Sequence, residues 1–188
     1  MKITICGISE LGEHCEAGVT HVLSILDPSW PDPAAFLDFP PHRRESLRFN
    51  DVIAPGPDLV APDEEIVTRL LAFGSDVEVA GEFAHLLIHC HAGISRSTAA
   101  AALLLAQENP LRPAIEIFDE IALLRPRAWP NLALLELGDV ALGRHGSLVA
   151  AVGAQYRRVI ANDPSFVAYL RENGRGREVG LAEAATYI

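Results

Sequence analysis

The chain predicts a three-layer α/β domain: a central, mainly parallel sheet of about four to five strands flanked by helices. Three observations carry this. Strand-like runs come early and alternate with helical ones, every later element reads as helical, and the apolar run Leu86-Leu87-Ile88 passes through a short turn into an alanine- and leucine-rich helix.

Lys2 to Gly7 alternates and is rich in β-branched residues, so it reads as a strand. Ser9 to Glu16 reads as a short helix or turn, and Thr20 to Leu26 as a second strand ended by Asp27-Pro28. Trp30 to Pro41 is proline-rich and predicts a loop with one helical turn around Ala34 to Leu37. Glu45 to Phe49 is the third strand, and Asp51 to Ala61, with Pro55, Gly56 and Pro57, is a loop. Pro62-Asp63-Glu64-Glu65 opens a helix, with acids in the first turn to meet its dipole and Ile66, Leu70 and Phe73 at helical spacing. Phe83 to His89 is the central strand. Thr98 to Gln107 is a mostly apolar helix, hence a buried one. Pro113 to Leu124 is amphipathic, and Asn131 is a good N-cap for a helix over Leu132 to Ala141. Ser147 to Ile160 and Pro164 to Arg171 complete the helices, and Gly174-Arg175-Gly176-Arg177 interrupts the pattern. The chain divides into a main domain, residues 1–160, and a C-terminal extension, residues 161–188, made of a short helix and a tail.

The stretch His89-Cys90-His91-Ala92-Gly93-Ile94-Ser95-Arg96-Ser97-Thr98 places a cysteine and an arginine at the two ends of the strand-to-helix turn. Backbone N–H groups from His91 to Arg96, turned inward, form a concavity for an anion, and the positive end of the next helix adds to the field. That field favours the thiolate form of Cys90. Arg96 offers a planar fork for two phosphate oxygens, and Gly93 admits a positive φ and a close ligand approach. The Ser97 hydroxyl is placed to donate to the sulfur and make it a better leaving group. The chemistry that needs this set is attack on a phosphate ester. A buried structural cysteine would account for Cys90 but not for Arg96.

Cys-x5-Arg followed by serine resembles the signature of the cysteine-dependent protein tyrosine phosphatase superfamily, and the longer His-Cys-x-Ala-Gly-x-Ser-Arg-Ser is similar to its dual-specificity branch. Gly18 to Ile25, Arg48-Phe49-Asn50-Asp51, and Arg125-Pro126 with Trp129-Pro130-Asn131 resemble further segments of that family in the same order, over about residues 17 to 140. The resemblance implies the same three-layer fold, catalysis by Cys90 and Arg96 assisted by Ser97, and phosphate held by His91, Ala92, Gly93, Ile94, Ser95 and Arg96. It also implies a loop-orienting role for His89. Asp51, which follows a strand as the family's general acid does, is the first candidate for the proton donor. The stretch from Asp51 to Cys90 is longer than usual for the family, so Asp58 stands as a rival, while Asp63 reads as a helix-start residue.

Length and charge set bounds. The 188 residues suit one domain with a sizeable core, which is aliphatic since only 6% of residues are aromatic. A net charge of −10 disfavours nucleic acid and anionic membranes as partners. Attraction for phosphate must then be local. Three cysteines without metal-ligand spacing, and no apolar run of spanning length, point to a reducing, cytoplasmic setting with neither metal nor cofactor. Cys6 reads as a buried small residue, and His42-Arg43-Arg44 as a solvated charged loop. The function expected is a phosphomonoester hydrolase, a tyrosine or dual-specificity phosphatase acting on a phosphorylated protein or peptide through a phosphocysteine intermediate. The alternatives are a phosphate-binding pseudophosphatase without turnover and a phosphatase for a non-protein phosphoester. A rhodanese-like sulfurtransferase also uses a loop cysteine, but the Ala-Gly-x-Ser-Arg-Ser string argues against it.

Overall fold

The structure, a computed structural model, describes residues 2–185. Four parallel strands form one sheet in the order β1-β4-β2-β3: β1 (Lys2–Gly7), β2 (His21–Leu26), β3 (Arg43–Arg48) and β4 (His85–Cys90). Register is fixed by pairings such as Gly7 with Cys90, Ser24 with His89 and Leu23 with Glu45. The two central strands, β2 and β4, are buried at every position, as strands covered on both faces must be. Alternation divides their side chains. Leu86 and Ile88 face the main core, and Leu87 joins Cys6, Leu11, Val22 and Phe39 in a smaller one.

The helices are α1 (Glu64–Val79), α2 (Arg96–Glu108), α3 (Ala114–Leu124), α4 (Leu132–Ala141), α5 (Ser147–Asn162), α6 (Phe166–Glu172) and α7 (Gly176–Ala184). All of them pack over the main core or its margin. Among the described residues the smaller core is covered by the 3-10 turns Ile8–His14 and Ala34–Asp38 and by loop residues such as Val19 and Phe39, with no α-helix over it, so one of the two flanking layers is thin. Asp63 caps α1 by accepting from Ile66 N at 2.9 Å, and Asn131 caps α4 by accepting from Leu134 N at 3.0 Å. α2 is buried from Arg96 to Ala106. A close neighbour must be small: a Cβ at Gly138 of α4 would lie 2.3 Å from Leu103 Cδ2 of α2.

The expected strands and helices are present, with ends displaced by a few residues. Two differences matter. Arg43 and Arg44, expected in a solvated loop, begin β3; Arg43 pairs with Asp76, and Arg44 with Asp32 and the Ser24 hydroxyl. Beyond Gly174 the chain re-forms a helix, α7, where glycine-rich punctuation predicts an irregular tail. α7 lies along α5, and its buried Glu178, Val179 and Ala182 supply the apolar and polar contacts that local propensity lacks. Residues 186–188 of the expected tail lie outside the described residues.

Candidate active site

β4 ends at Cys90, which is buried, and α2 begins at Arg96. The turn between them is shaped by its carbonyls, which are all drawn outward. His91 O accepts from Ile8 N at 3.0 Å and Ile94 O from Trp129 N at 2.9 Å; Ser95 O accepts from Asn131 N at 3.2 Å. Arg125 donates to Ala92 O and Gly93 O, each at 3.1 Å, and is itself held by Glu10 through two 3.0 Å bonds. In a trans peptide the N–H points opposite to the C=O of the same plane. Five outward carbonyls therefore turn the N–H groups of residues 92–96 toward the loop's interior, next to the sulfur. Gly93 makes the turn possible at φ 68°, and a Cβ there would lie 2.5 Å from the Cys6 backbone.

Arg96 is 3% exposed and is oriented by two acceptors on one nitrogen. Nη1 donates to Asp27 Oδ1 at 2.6 Å and to Phe49 O at 2.7 Å. Its Nε is buried and has no hydrogen-bond partner among the described residues, a costly condition that an oxyanion in the loop would relieve. Asp27 also lies 3.7 Å from His91 Nε2, which in turn accepts from Asp27 N. That acceptor role needs a neutral ring. Burial first, then the Arg96 charge, lowers the His91 pKa in agreement.

Ser97 Oγ lies 3.2 Å from Cys90 Sγ. Cys6 is different: burial, then Glu10, pushes its thiol up to about 12, so it is a poor nucleophile. His89 is fully buried, with Nε2 2.7 Å from Ser24 Oγ, and burial pushes its pKa down to about 4. The unfolded chain protonates this ring below about 6.5 while the folded one does not, so stability falls with pH across that window and the loss is complete below about 4. The gap corresponds to about 3 kcal/mol. Urea unfolding at pH 7 and 4.5 should show a smaller pH-dependent loss for His89→Asn than for wild type; equal losses would remove His89 from the account.

Asp51 lies beyond β3 at the edge of the same loop. Its Oδ1 accepts from Ser95 Oγ at 2.6 Å, Asn131 Nδ2 at 2.8 Å and Arg175 Nη1 at 3.1 Å. Burial pushes the carboxyl up, but Arg175, then Arg96, together with the bonds from Ser95 and Asn131, outweigh it and hold the group below its ordinary value. Asn131 thus does two jobs, capping α4 with Oδ1 and bracing Asp51 with Nδ2. Asp58 is exposed on its loop at φ 57° and is not among the residues lining the cleft, and Asp63 is occupied as the α1 cap.

Cys90, Arg96, Asp51 and the loop open into a cleft of about 570 Å³, walled further by Trp129, Tyr169 and Arg175. A larger groove of about 670 Å³, between the 53–62 loop and α4, contains no cysteine and no base next to an anion site. Two residues of the candidate site escape the sequence reading. Asp27 could have been found, because it directly follows a central parallel strand, and ligand sites lie outside the carboxyl ends of such strands. Arg175 offers no local signal, since it arrives from a distant helix pair. The assembled groups form a cavity able to take a tetrahedral oxyanion, with the Cys90 sulfur at its base and the Asp51 carboxyl at its rim.

No protein-family model matches the chain, and no curated protein matches it in sequence. Solved structures do. Human DUSP28 superimposes with a TM-score of 0.56 at 19% identity, covering 76% of this chain and 94% of the other. Tk-PTP in its active form gives 0.53 at 19%, covering 77% and 93%. A human tyrosine phosphatase-like serine/threonine/tyrosine-interacting protein gives 0.54 at 20%, covering 74% and 87%.

Proposed function

We propose that this chain, which has the dual-specificity phosphatase fold, is a phosphomonoester hydrolase working through a phosphocysteine intermediate. The observation that carries the proposal is the loop itself: five inward N–H groups, the buried and unpartnered Arg96 Nε, and Cys90 Sγ converge on one cavity. In the first step the Cys90 thiolate forms a bond to phosphorus as the ester P–O bond breaks. Asp51, protonated, gives its proton to the departing oxygen. In the second, water attacks phosphorus, Asp51 takes the water proton, and the P–S bond breaks with the electron pair returning to sulfur, where the Ser97 hydroxyl stabilises it. Loop amides and Arg96 hold the three equatorial oxygens throughout, so positioning and electrostatics supply most of the rate. The substrate proposed is a phosphorylated protein or peptide.

One observation favours a second reading. Arg175 holds Asp51 toward its ionised form, which weakens it as an acid near neutral pH, and a phosphate-binding module without turnover would tolerate that. A series of aryl phosphates separates the two. If Asp51 is the acid, Asp51→Asn should slow phenyl phosphate by about 10²-fold or more and spare dinitrophenyl phosphate, whose leaving group departs without a proton. Wild-type protein that binds vanadate yet hydrolyses none of the series would select the binding module.

A further inference from the structure

We infer that Arg175, carried by the C-terminal helix pair, is the positioning residue for Asp51, so that α6 and α7 complete the acid half of the site. The inference rests on the hydrolase reading above, with Asp51 as proton donor. Arg175 lies in the link between α6 and α7, yet its guanidinium is buried in the cleft wall. Every nitrogen is committed. Nε and Nη2 bind Glu178 Oε2 and Oε1 at 2.7 and 2.9 Å, Nη2 also reaches Ser95 Oγ at 3.0 Å, and Nη1 reaches Asp51 Oδ1 at 3.1 Å. Glu178 is fully buried and anchored in turn, accepting from Trp129 Nε1 and from Leu132 N at 3.1 Å. The fork cannot rotate without breaking this set.

The consequence is geometric before it is electrostatic. All three donors to Asp51 meet Oδ1, and among the described residues none engages Oδ2. The carboxyl is held by one oxygen with the other left to carry the proton. The charged and titratable groups around it are Arg175, with Glu178 paired behind it, Arg96 from α2, Cys90 and His91 from the loop, Tyr156 from α5, and Arg127 and Tyr169 on the cleft wall. Removing the Arg175 cation lets the carboxyl bind its proton more tightly and turn more freely. An acid catalyst is active only below its pKa, so the basic limb of the kcat/KM profile then moves to higher pH.

Removing Arg175 alone strands the buried Glu178 carboxylate, so the test uses Arg175→Met and the paired Arg175→Met/Glu178→Gln, with thermal midpoints recorded for both. If Arg175 positions the acid, each variant loses about tenfold or more on phenyl phosphate and little on dinitrophenyl phosphate. The basic limb moves up, and adding Arg175→Met to Asp51→Asn costs nothing further. A uniform loss over all leaving groups that adds to Asp51→Asn would show a merely structural arginine and overturn the inference. Should wild type hydrolyse no ester, the hydrolase reading falls. A 13C titration of the Asp51 carboxyl then decides the coupling by itself: an upward shift in the paired variant upholds it, and an unchanged one ends it.

Discussion

Cys90→Ser should leave at most about a thousandth of the wild-type rate on an aryl phosphate, while vanadate and inorganic phosphate still bind. The two halves of this expectation have separate causes. Turnover needs a nucleophile that is ionised and highly polarisable, and a serine hydroxyl at the end of β4 is neither; the adjacent His89 points Nε2 at Ser24 and does not serve it as a base. Binding needs the inward amides and Arg96, and these are held by outward carbonyl bonds in which the sulfur takes no part. Isothermal titration with vanadate beside a turnover assay reads both. Activity within tenfold of wild type would remove Cys90 as the nucleophile; loss of oxyanion binding together with turnover would mean that the sulfur shapes the loop. Iodoacetate mapping is a companion measurement: Cys90 should alkylate ahead of Cys6, whose thiol burial holds protonated.

Arg96→Lys should lower kcat/KM by about 10²- to 10³-fold despite keeping the charge. In wild type one nitrogen of the guanidinium is tied to Asp27 and Phe49 O, which frees Nε on the same rigid plane for the ligand. A lysine ammonium is a single point and cannot stay on Asp27 and meet a phosphate with the same geometry. Asp27 itself should therefore matter: it aims the fork. If Arg96→Lys turns over within a few-fold of wild type, the oxyanion is bound by the loop amides alone and the planar fork is not needed.

The candidate nucleophile Cys90, the strand-turn-helix loop that holds it and the alternation behind the fold class are legible in the chain because each is written in neighbouring residues. A strand, a five-residue turn and a helix start are written in consecutive residues, and a Cys-x5-Arg spacing needs no long-range contact to be recognised. Asn131 could be read as a cap for the same reason. The candidate acid is intermediate. Asp51 is suggested by its place after a strand, but its advantage over Asp58 comes from Ser95, Asn131 and Arg175, which lie 44, 80 and 124 residues away in the chain. Of the C-terminal pair, α6 is legible in the sequence and α7 is not. Gly174 and Gly176 read as breaks because propensity counts only neighbours, whereas α7 is held by packing on α5 and by the buried Glu178–Arg175 pair. A buried ion pair carries no periodic signature. Its partners are chosen by where the backbone closes, and that closure brings the Arg175 charge to the Asp51 carboxyl at the mouth of the cleft.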